Sequence, residues 1–147
     1  MIKNCSYILL LLLLICSSCK KLGDPGTNAL LEQYFETNVL NRNFTVSLAQ
    51  ENGTDLTANY TGYIFVLLKT DFYHGPLQAT NNGTTYTGSW SSNDDYSKLV
   101  ITLPNPPSEF GFLTRDWRFT SKSDFPPTLK LAPWGSTEAL VLYMFRQ

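Results

Sequence analysis

One histidine and one nearby aspartate are the residues whose types and spacing come closest to a catalytic pair. Asp71 stands three residues before His74, the only histidine of the chain, so its carboxylate could orient an imidazole that acts as a general base. Such a pair also needs an activated nucleophile, but the sequence contains no Gly-x-Ser-x-Gly motif and its three cysteines all lie within the first nineteen residues. We therefore expect His74 to be a turn residue and the protein not to be an enzyme.

Two pairs of carboxylates could bind a metal ion or cleave a glycosidic bond. Asp94 and Asp95 are adjacent, but a calcium ion takes six to eight oxygen ligands and a turn glycine is lacking, so a solvated hairpin loop is expected. Glu109 and Asp116 fall on one predicted strand at an odd spacing, which places them on opposite faces and prevents joint catalysis. We expect no metal and no cofactor.

Aromatic side chains make up 14% of the chain and are the strongest candidates for ligand contacts. Flat rings stack on sugars or line apolar cavities, and tyrosine hydroxyls orient polar groups. An eight-stranded barrel has room for its own side chains or for one small ligand, so core packing and ligand binding both remain open. The candidate ligand-binding residues are Tyr60, Tyr63, Phe65, Tyr86, Trp90, Trp117 and Tyr143.

The first nineteen residues have the pattern of a lipoprotein signal. Lys3 precedes an apolar run at residues 8–15, which is shorter than the ~20 residues of a membrane-spanning helix. The segment Ile15-Cys16-Ser17-Ser18-Cys19 resembles a bacterial lipobox, in which a cysteine receives a diacylglycerol. We expect cleavage before Cys19 and lipidation of Cys19. Acylation of Cys16 and an ordinary cleaved secretory signal are the alternatives.

This signal divides the chain into a signal peptide at residues 1–18, a lipidated tether at 19–27 and one β-domain at 28–147. Several acyl chains on Cys19 would hold the protein stably to a membrane. We expect a location in the cell envelope, anchored to the outer membrane. Residues 20–24 lack the immediate acidic run of a surface-export signal, which favours the periplasmic face over the cell surface.

The charge balance argues against a nucleic-acid partner. Lysine and arginine number 11, aspartate and glutamate number 12, and the formal net charge is −1. Phosphate backbones are bound by clustered basic side chains, for which this chain has no obvious source.

The hydrophobic pattern predicts one helix followed by strands. Leu30, Leu31, Tyr34, Phe35 and Val39 follow helical spacing, which predicts a helix from a Thr27-Asn28 cap to about residue 40. Alternation at 44–49, with Phe44, Val46 and Leu48 on one face, begins a series of strands separated by turn residues. About eight short strands with no later crossover helix predict an antiparallel barrel or sandwich. The predicted strands are 44–49, 56–68, 76–80, 84–90, 99–103, 110–120, 128–132 and 138–145.

Six segments of the chain are Gly62-Tyr63-Ile64-Phe65, Gly75-Pro76-Leu77-Gln78-Ala79, Gly88-Ser89-Trp90, Leu99-Val100-Ile101, Trp117-Arg118-Phe119 and Phe145-Arg146-Gln147. In these segments the chain resembles the lipocalin-like lipoproteins of Bacteroidota. The resemblance covers nearly the whole mature chain and implies a small up-and-down β-barrel outside the cytoplasm, usually without an assigned ligand. True lipocalins carry Gly-x-Trp near the first strand, whereas here it lies mid-chain, so no lipocalin ligand is carried over.

Together these patterns predict a non-catalytic, lipid-anchored envelope protein with an all-β, lipocalin-like barrel of about eight strands and a short N-terminal helix. In the leading interpretation it binds a small apolar or amphipathic molecule between the strands. In the alternative, a filled barrel contacts a glycan or a partner protein through residues 104–108, residues 125–128 and Trp134. An empty apolar interior would favour the first interpretation, and a packed core with exposed aromatic residues the second.

Overall fold

The computed structural model describes residues 25–121 and 128–147. The predicted signal peptide, the lipidation site Cys19 and residues 125–127 of one predicted contact loop therefore lie outside the described residues. None of the helices within the described parts combines the length and the hydropathy that crossing a membrane requires.

The described residues form two helices and nine strands, with one 3-10 helix at Thr57–Tyr60 between the second and third strands. Helix α1 precedes all strands, and the single-turn helix α2 lies between β6 and β7. The elements are α1 Pro25–Asn38, β1 Asn43–Glu51, β2 Thr54–Asp55, β3 Ile64–Leu67, β4 His74–Asn81, β5 Thr84–Ser92, β6 Lys98–Thr102, α2 Phe110–Leu113, β7 Arg115–Ser121, β8 Thr128–Pro133 and β9 Leu140–Arg146.

Eight of these strands close into an antiparallel β-barrel. Strands β3 to β9 pair in sequence order, β1 pairs with β3 on one side, and β1 also pairs with β9 on the other. The two-residue strand β2 pairs only with the end of β1. The closing pairing includes Thr45 opposite Phe145 and Ala49 opposite Leu142. The predicted all-β barrel is thus confirmed, and the sandwich alternative is excluded.

Two local features of the backbone shape the barrel: a tight turn between β4 and β5, and a short distance between the backbones of β5 and β6. Asn82 and Gly83 join β4 to β5 with positive φ angles of 48° and 81°, as a tight hairpin turn requires. On β5, Gly88 lets the neighbouring backbone come close, because a Cβ atom there would lie 1.9 Å from the carbonyl oxygen of Thr102.

Two predicted strands are helical in part. In the 56–68 segment only Ile64–Leu67 is a strand, since Thr57–Tyr60 forms the 3-10 helix. In the 110–120 segment the strand begins at Arg115, because Phe110–Leu113 forms α2. Helix α2 buries Phe110, Phe112 and Leu113 together. A strand with one buried face cannot bury two adjacent residues such as Phe112 and Leu113 against the same core.

Helix α1 closes one end of the barrel. It spans Pro25–Asn38, so it begins three residues before the predicted start and ends two residues before the predicted end, with Thr27 and Asn28 inside it. The Phe35 ring enters the barrel end, 5.7 Å from the ring of Trp90, 4.6 Å from that of Tyr96 and 6.1 Å from that of Phe119. Aromatic pairs at these distances contribute stabilising free energy beyond that of the apolar area that they bury.

Helix α2 and the 3-10 helix close the opposite end. The buried rings of Tyr60, Tyr63, Phe110 and Phe112 lie there, and a hydrogen bond of 2.7 Å from the Tyr60 hydroxyl to the carbonyl oxygen of Glu109 joins the two helical segments. The barrel interior between the two ends is filled by the apolar core.

Candidate functional site

The predicted ligand-binding aromatic residues lie in three different places. Tyr60, Tyr63 and Phe65 cluster at the α2 end of the barrel with the half-buried Tyr86, and Tyr63 stacks on Phe65 at 5.8 Å. Trp90 lies at the α1 end, and Trp117 packs on Phe112 at 5.6 Å. Tyr143 alternates with the buried Leu142 and Met144 and therefore lies on the outer face. The seven residues do not line one common site.

The interior aromatic residues are part of the packed core. Tyr60, Tyr63, Phe65, Trp90 and Trp117 are buried, and the indole N–H groups of Trp90 and Trp117 donate hydrogen bonds to the carbonyl oxygens of Leu68 and Leu113. At the α1 end, the crevice beside Phe35 and Phe119 measures about 20 Å³, which is room for about one water molecule.

A much larger pocket opens at the α2 end, and we call it the rim pocket. Its volume is about 480 Å³, within the range of ~300–1,000 Å³ typical of small-molecule sites. Three parts of the chain form it: the end of β1, the segment around the 3-10 helix, and the segment that enters α2. The lining residues are Glu51, Leu56, Asn59, Tyr60, Ser108, Glu109 and Phe112.

Hydrogen bonds hold the walls of the rim pocket in place. The Tyr63 hydroxyl donates to Glu109 Oε1 at 3.0 Å, which adds to the bond from Tyr60 to the carbonyl oxygen of the same residue. At the start of the 3-10 helix, the backbone N–H of Thr57 donates to Asp55 Oδ1 at 2.8 Å. The hydrogen bond from the Thr57 side chain, and then the one from its backbone N–H, lower the pKa of the Asp55 carboxyl below its ordinary value. The two bonds to Glu109 therefore join pocket walls that are distant in sequence, while the Asp55–Thr57 bond is local.

The two tyrosines at the pocket remain hydrogen-bond donors at neutral pH. Burial raises the pKa of Tyr60, and the nearby carboxylate of Glu109 raises it further. Burial also raises the pKa of Tyr63, together with its hydrogen bond to Glu109. A phenol with a raised pKa keeps its proton, so both hydroxyls keep donating to Glu109.

Glu51 reaches the rim pocket because β1 contains a register shift between Val46 and Leu48. Beyond this bulge Ala49 is buried and Leu48 is not, so the predicted placement of Leu48 on the face of Phe44 and Val46 is wrong. Glu51 pairs with the buried Leu140 and lies on the inward face at the barrel end. Within the described residues its carboxylate has no hydrogen bond or ion pair.

Arg115 lies beside the rim pocket without lining it. Its guanidinium lies over the rings of Phe112 and Trp117, at 5.2 and 5.5 Å, and its Nη1 is 3.9 Å from a carboxylate oxygen of Glu138. The buried Nε of Arg115 has no hydrogen-bond partner among the described residues. The guanidinium of Arg115 thus contacts two aromatic rings and lies near the Glu138 carboxylate.

The other sequence candidates lie at the surface. Asp71 and Asp95 form turns, whereas His74, predicted to be a turn residue, is the first residue of β4. His74 Nδ1 lies 2.9 Å from an Asp71 carboxylate oxygen, and both side chains are largely exposed. The other oxygen, Asp71 Oδ1, accepts backbone N–H bonds from Tyr73 and His74, and these bonds lower the pKa of the Asp71 carboxyl. In the same way Asp95 Oδ1 accepts from Ser97. Asp71 and Asp95 are therefore turn-forming carboxylates.

Glu109 and Asp116 are not on one strand, contrary to the sequence prediction. Glu109 precedes α2, whereas Asp116 on β7 pairs with Lys98 at 2.6 Å. Within residues 25–121 and 128–147, no group of three or more histidine, cysteine, aspartate and glutamate side chains is placed to hold a metal ion.

Sequence reasoning found Tyr60 but missed the rim pocket as a site. The sequence pattern did not predict the positions of Glu51 and Glu109. A bulge in β1 turns Glu51 towards the pocket, and a helical turn replaces the strand that was predicted beside Glu109. Comparisons with protein-family models, with curated proteins and with solved structures find no match to this chain. The fold therefore defines the class, a closed eight-stranded antiparallel barrel, while membership of the lipocalin-like lipoproteins stays a prediction.

Proposed function

We propose that this chain is a non-catalytic, lipid-anchored protein of the cell envelope that binds a small ligand at the rim of its barrel. One contrast carries the proposal: the interior is filled by side chains, whereas the rim pocket offers about 480 Å³. The proposal keeps the small ligand that the sequence suggested but moves its site from between the strands to the end of the barrel.

The positions of the lipidation motif and of the rim pocket are compatible with each other. Helix α1 begins at Pro25, six residues after Cys19, and closes the barrel end opposite to the rim pocket. A lipid on Cys19 would therefore tether the domain from the α1 side and leave the rim pocket open. The outer membrane, with the domain on its periplasmic face, is the proposed location.

The anchoring is tested by labelling the full chain with radioactive palmitate in a bacterium that processes lipoproteins, followed by membrane fractionation. We expect label and membrane association in the wild type and in Cys16→Ala, and neither in Cys19→Ala. Label lost only in Cys16→Ala would move the acylated residue to Cys16. An unlabelled wild-type protein would overturn the anchoring.

The ligand site is tested by native mass spectrometry of the full chain, purified in mild detergent from its own host. Ser108→Trp fills the rim pocket from an exposed position, and Ser89→Trp adds the same bulk to the exposed face of β5. We expect a co-purifying small mass on the wild type and on Ser89→Trp but not on Ser108→Trp. A mass that Ser108→Trp retains would place the ligand elsewhere, and bare masses throughout would refute small-molecule binding.

A surface interaction module is the second candidate function. Trp134, at the turn after β8, is 40% exposed, and Phe145 on β9 is 37% exposed, whereas most large apolar side chains of the described residues are buried. Exposed tryptophan is a common anchor in protein and glycan interfaces. A glycan array probed with the wild type and with Trp134→Ala tests this candidate function. We expect the wild type to bind a glycan and Trp134→Ala not to bind it.

A further inference from the structure

We propose that the rim pocket binds a small organic cation, an ammonium group attached to an apolar body. This inference rests on the proposed function, because it names the chemical class of the ligand for the same pocket. The walls supply two carboxylates, Glu51 and Glu109, and no lysine, arginine or histidine.

The carboxylates of Glu51 and Glu109 form no ion pair with any of the described residues. The Glu51 carboxylate also has no hydrogen bond there, and the Glu109 carboxylate accepts one from the neutral hydroxyl of Tyr63. Arg115, the nearby guanidinium, is paired with Glu138. Two half-buried carboxylates that face one cavity favour a cationic ligand, because charge-assisted hydrogen bonds are about twice as strong as neutral ones.

The apolar and aromatic walls of the rim pocket suit the apolar body of such a ligand. The rings of Tyr60 and Phe112 lie 6.4 Å apart at an angle of 43°, and with Leu56 they give an apolar surface on which an alkyl or aromatic body can lie. An ammonium group near aromatic faces also gains cation–π attraction. Asn59 and Ser108 add an amide and a hydroxyl at the exposed edge.

The size and the donor set favour an organic cation over a metal ion. A cavity of about 480 Å³ is far larger than a coordinated cation needs. Calcium takes six to eight oxygen ligands, while the pocket offers two carboxylates. An ammonium group needs about three hydrogen-bond acceptors, which Glu51, Glu109 and the Asn59 amide oxygen can supply.

Three probes of nearly equal size separate charge from shape: 2-phenylethylamine is a cation, 2-phenylethanol is neutral and 3-phenylpropanoate is an anion. Calorimetric titration of the full chain in detergent should show binding of the amine, with the alcohol and the acid about tenfold weaker or worse, as expected for the loss of one charge-assisted contact. Added salt should weaken the binding of the amine.

Single-residue variants test whether the amine binds in the rim pocket. Glu51→Gln and Glu109→Gln should each weaken amine binding about tenfold, and Ser108→Trp should abolish it. Glu36→Gln removes one negative charge from α1, beside Lys69 at the other barrel end. It should leave the affinity for the amine within about twofold because screening is strong at that distance. Circular dichroism melts confirm that each variant is folded.

The outcomes separate this inference from the proposed function. Equal binding of alcohol and amine, abolished by Ser108→Trp, would overturn the cation and leave the ligand site standing. Amine binding unchanged in all three pocket variants, or no binding of the amine, would overturn the cation as the ligand of this pocket. If calcium ions from added calcium chloride bound stoichiometrically to the wild type but not to Glu51→Gln, the pocket would be a metal site. That result would also overturn the organic cation as its ligand.

Discussion

The indole N–H of Trp117 donates a hydrogen bond of 2.9 Å to the carbonyl oxygen of Leu113, four residues earlier. Leu113 is the last residue of α2 and Trp117 lies on β7, so this bond fixes the turn through which the chain leaves the helix and enters the barrel. Both residues are buried. The bond therefore holds α2 over the barrel end, with the Phe112 wall of the rim pocket attached.

Replacing Trp117 by alanine should be among the most damaging single changes. It empties a large volume of the core and leaves the Leu113 carbonyl without its indole partner, so the free energy of unfolding should fall by about 3–5 kcal/mol. Urea titration followed by circular dichroism measures this loss. Trp134→Ala is the control, since Trp134 is 40% exposed and should lose clearly less stability than the fully buried Trp117. Equal losses in both variants would contradict the packed position of Trp117.

Gly88→Ala should destabilise the barrel because the added methyl group meets the backbone of the adjacent strand. The Cβ atom would lie 1.9 Å from the Thr102 carbonyl oxygen, and relieving that overlap should cost about 1–3 kcal/mol or more. Gly111→Ala in α2 meets nothing within 4 Å and should match the wild type or exceed it by up to about 1 kcal/mol. Thermal melts of the two variants compare them directly. A Gly88→Ala protein as stable as Gly111→Ala would refute the close strand approach.

Phe35→Ala should open the α1 end of the barrel. Removing this ring from between Trp90, Tyr96 and Phe119 should lower the free energy of unfolding by about 3–5 kcal/mol. The apolar cavity left behind should admit benzene, so benzene should raise the melting temperature of the variant and not that of the wild type.

Leu30→Ala, at a side chain that is 69% exposed, is the control for this helix and should change stability by at most about 0.5 kcal/mol. If benzene stabilised the wild type as strongly as Phe35→Ala, the α1 end would already admit ligands, which would restore the site between the strands.

Stability should depend on pH through Asp71. Its pKa is lowered, first by the hydrogen bond from the backbone N–H of Tyr73, and then by the backbone and imidazole of His74. A carboxyl with a lower pKa in the folded state stabilises the fold above its unfolded value of about 3.9 and loses that contribution as pH falls through its folded pKa.

The stability difference between wild type and Asp71→Ala should therefore be largest at about pH 6 and shrink below about pH 4. Urea titrations at both ends of this interval test the sign. Ser89→Ala, which removes no titratable group from an exposed position on β5, should show no such convergence. A difference that grows on acidification would contradict the hydrogen-bonded carboxylate.

The barrel could be predicted from the sequence because alternation and turn residues are local signals. Asn82-Gly83 marks a hairpin, and most strand centres lie where the apolar alternation places them. The two helical turns could not be found in this way, because Tyr60, Phe110 and Phe112 are aromatic residues that suit strands equally well. Their burial over the barrel end is a tertiary effect, which overrides local preference.

The rim pocket escaped the sequence for a different reason. Counting by twos from Phe44 places Leu48 and Gln50 inward and Glu51 outward, and the bulge after Val46 reverses this parity. Nothing in residues 44–51 marks the bulge. One extra residue in the ladder therefore decides that a carboxylate faces the pocket.

The pairing of β1 with β9 closes the barrel, and this closure costs chain entropy because the two strands lie far apart in the sequence. Ser47 Oγ donates to the Tyr143 carbonyl oxygen across 96 residues of sequence, so the closing ladder joins the two most distant strands. Such non-local pairing slows folding, because the loop entropy is lost before the contacts compensate for it. Until β9 arrives, β1 and β8 both present open edges on which other chains can add strands. In the closed barrel the pairing of β9 with β1 and with β8 removes both of these edges.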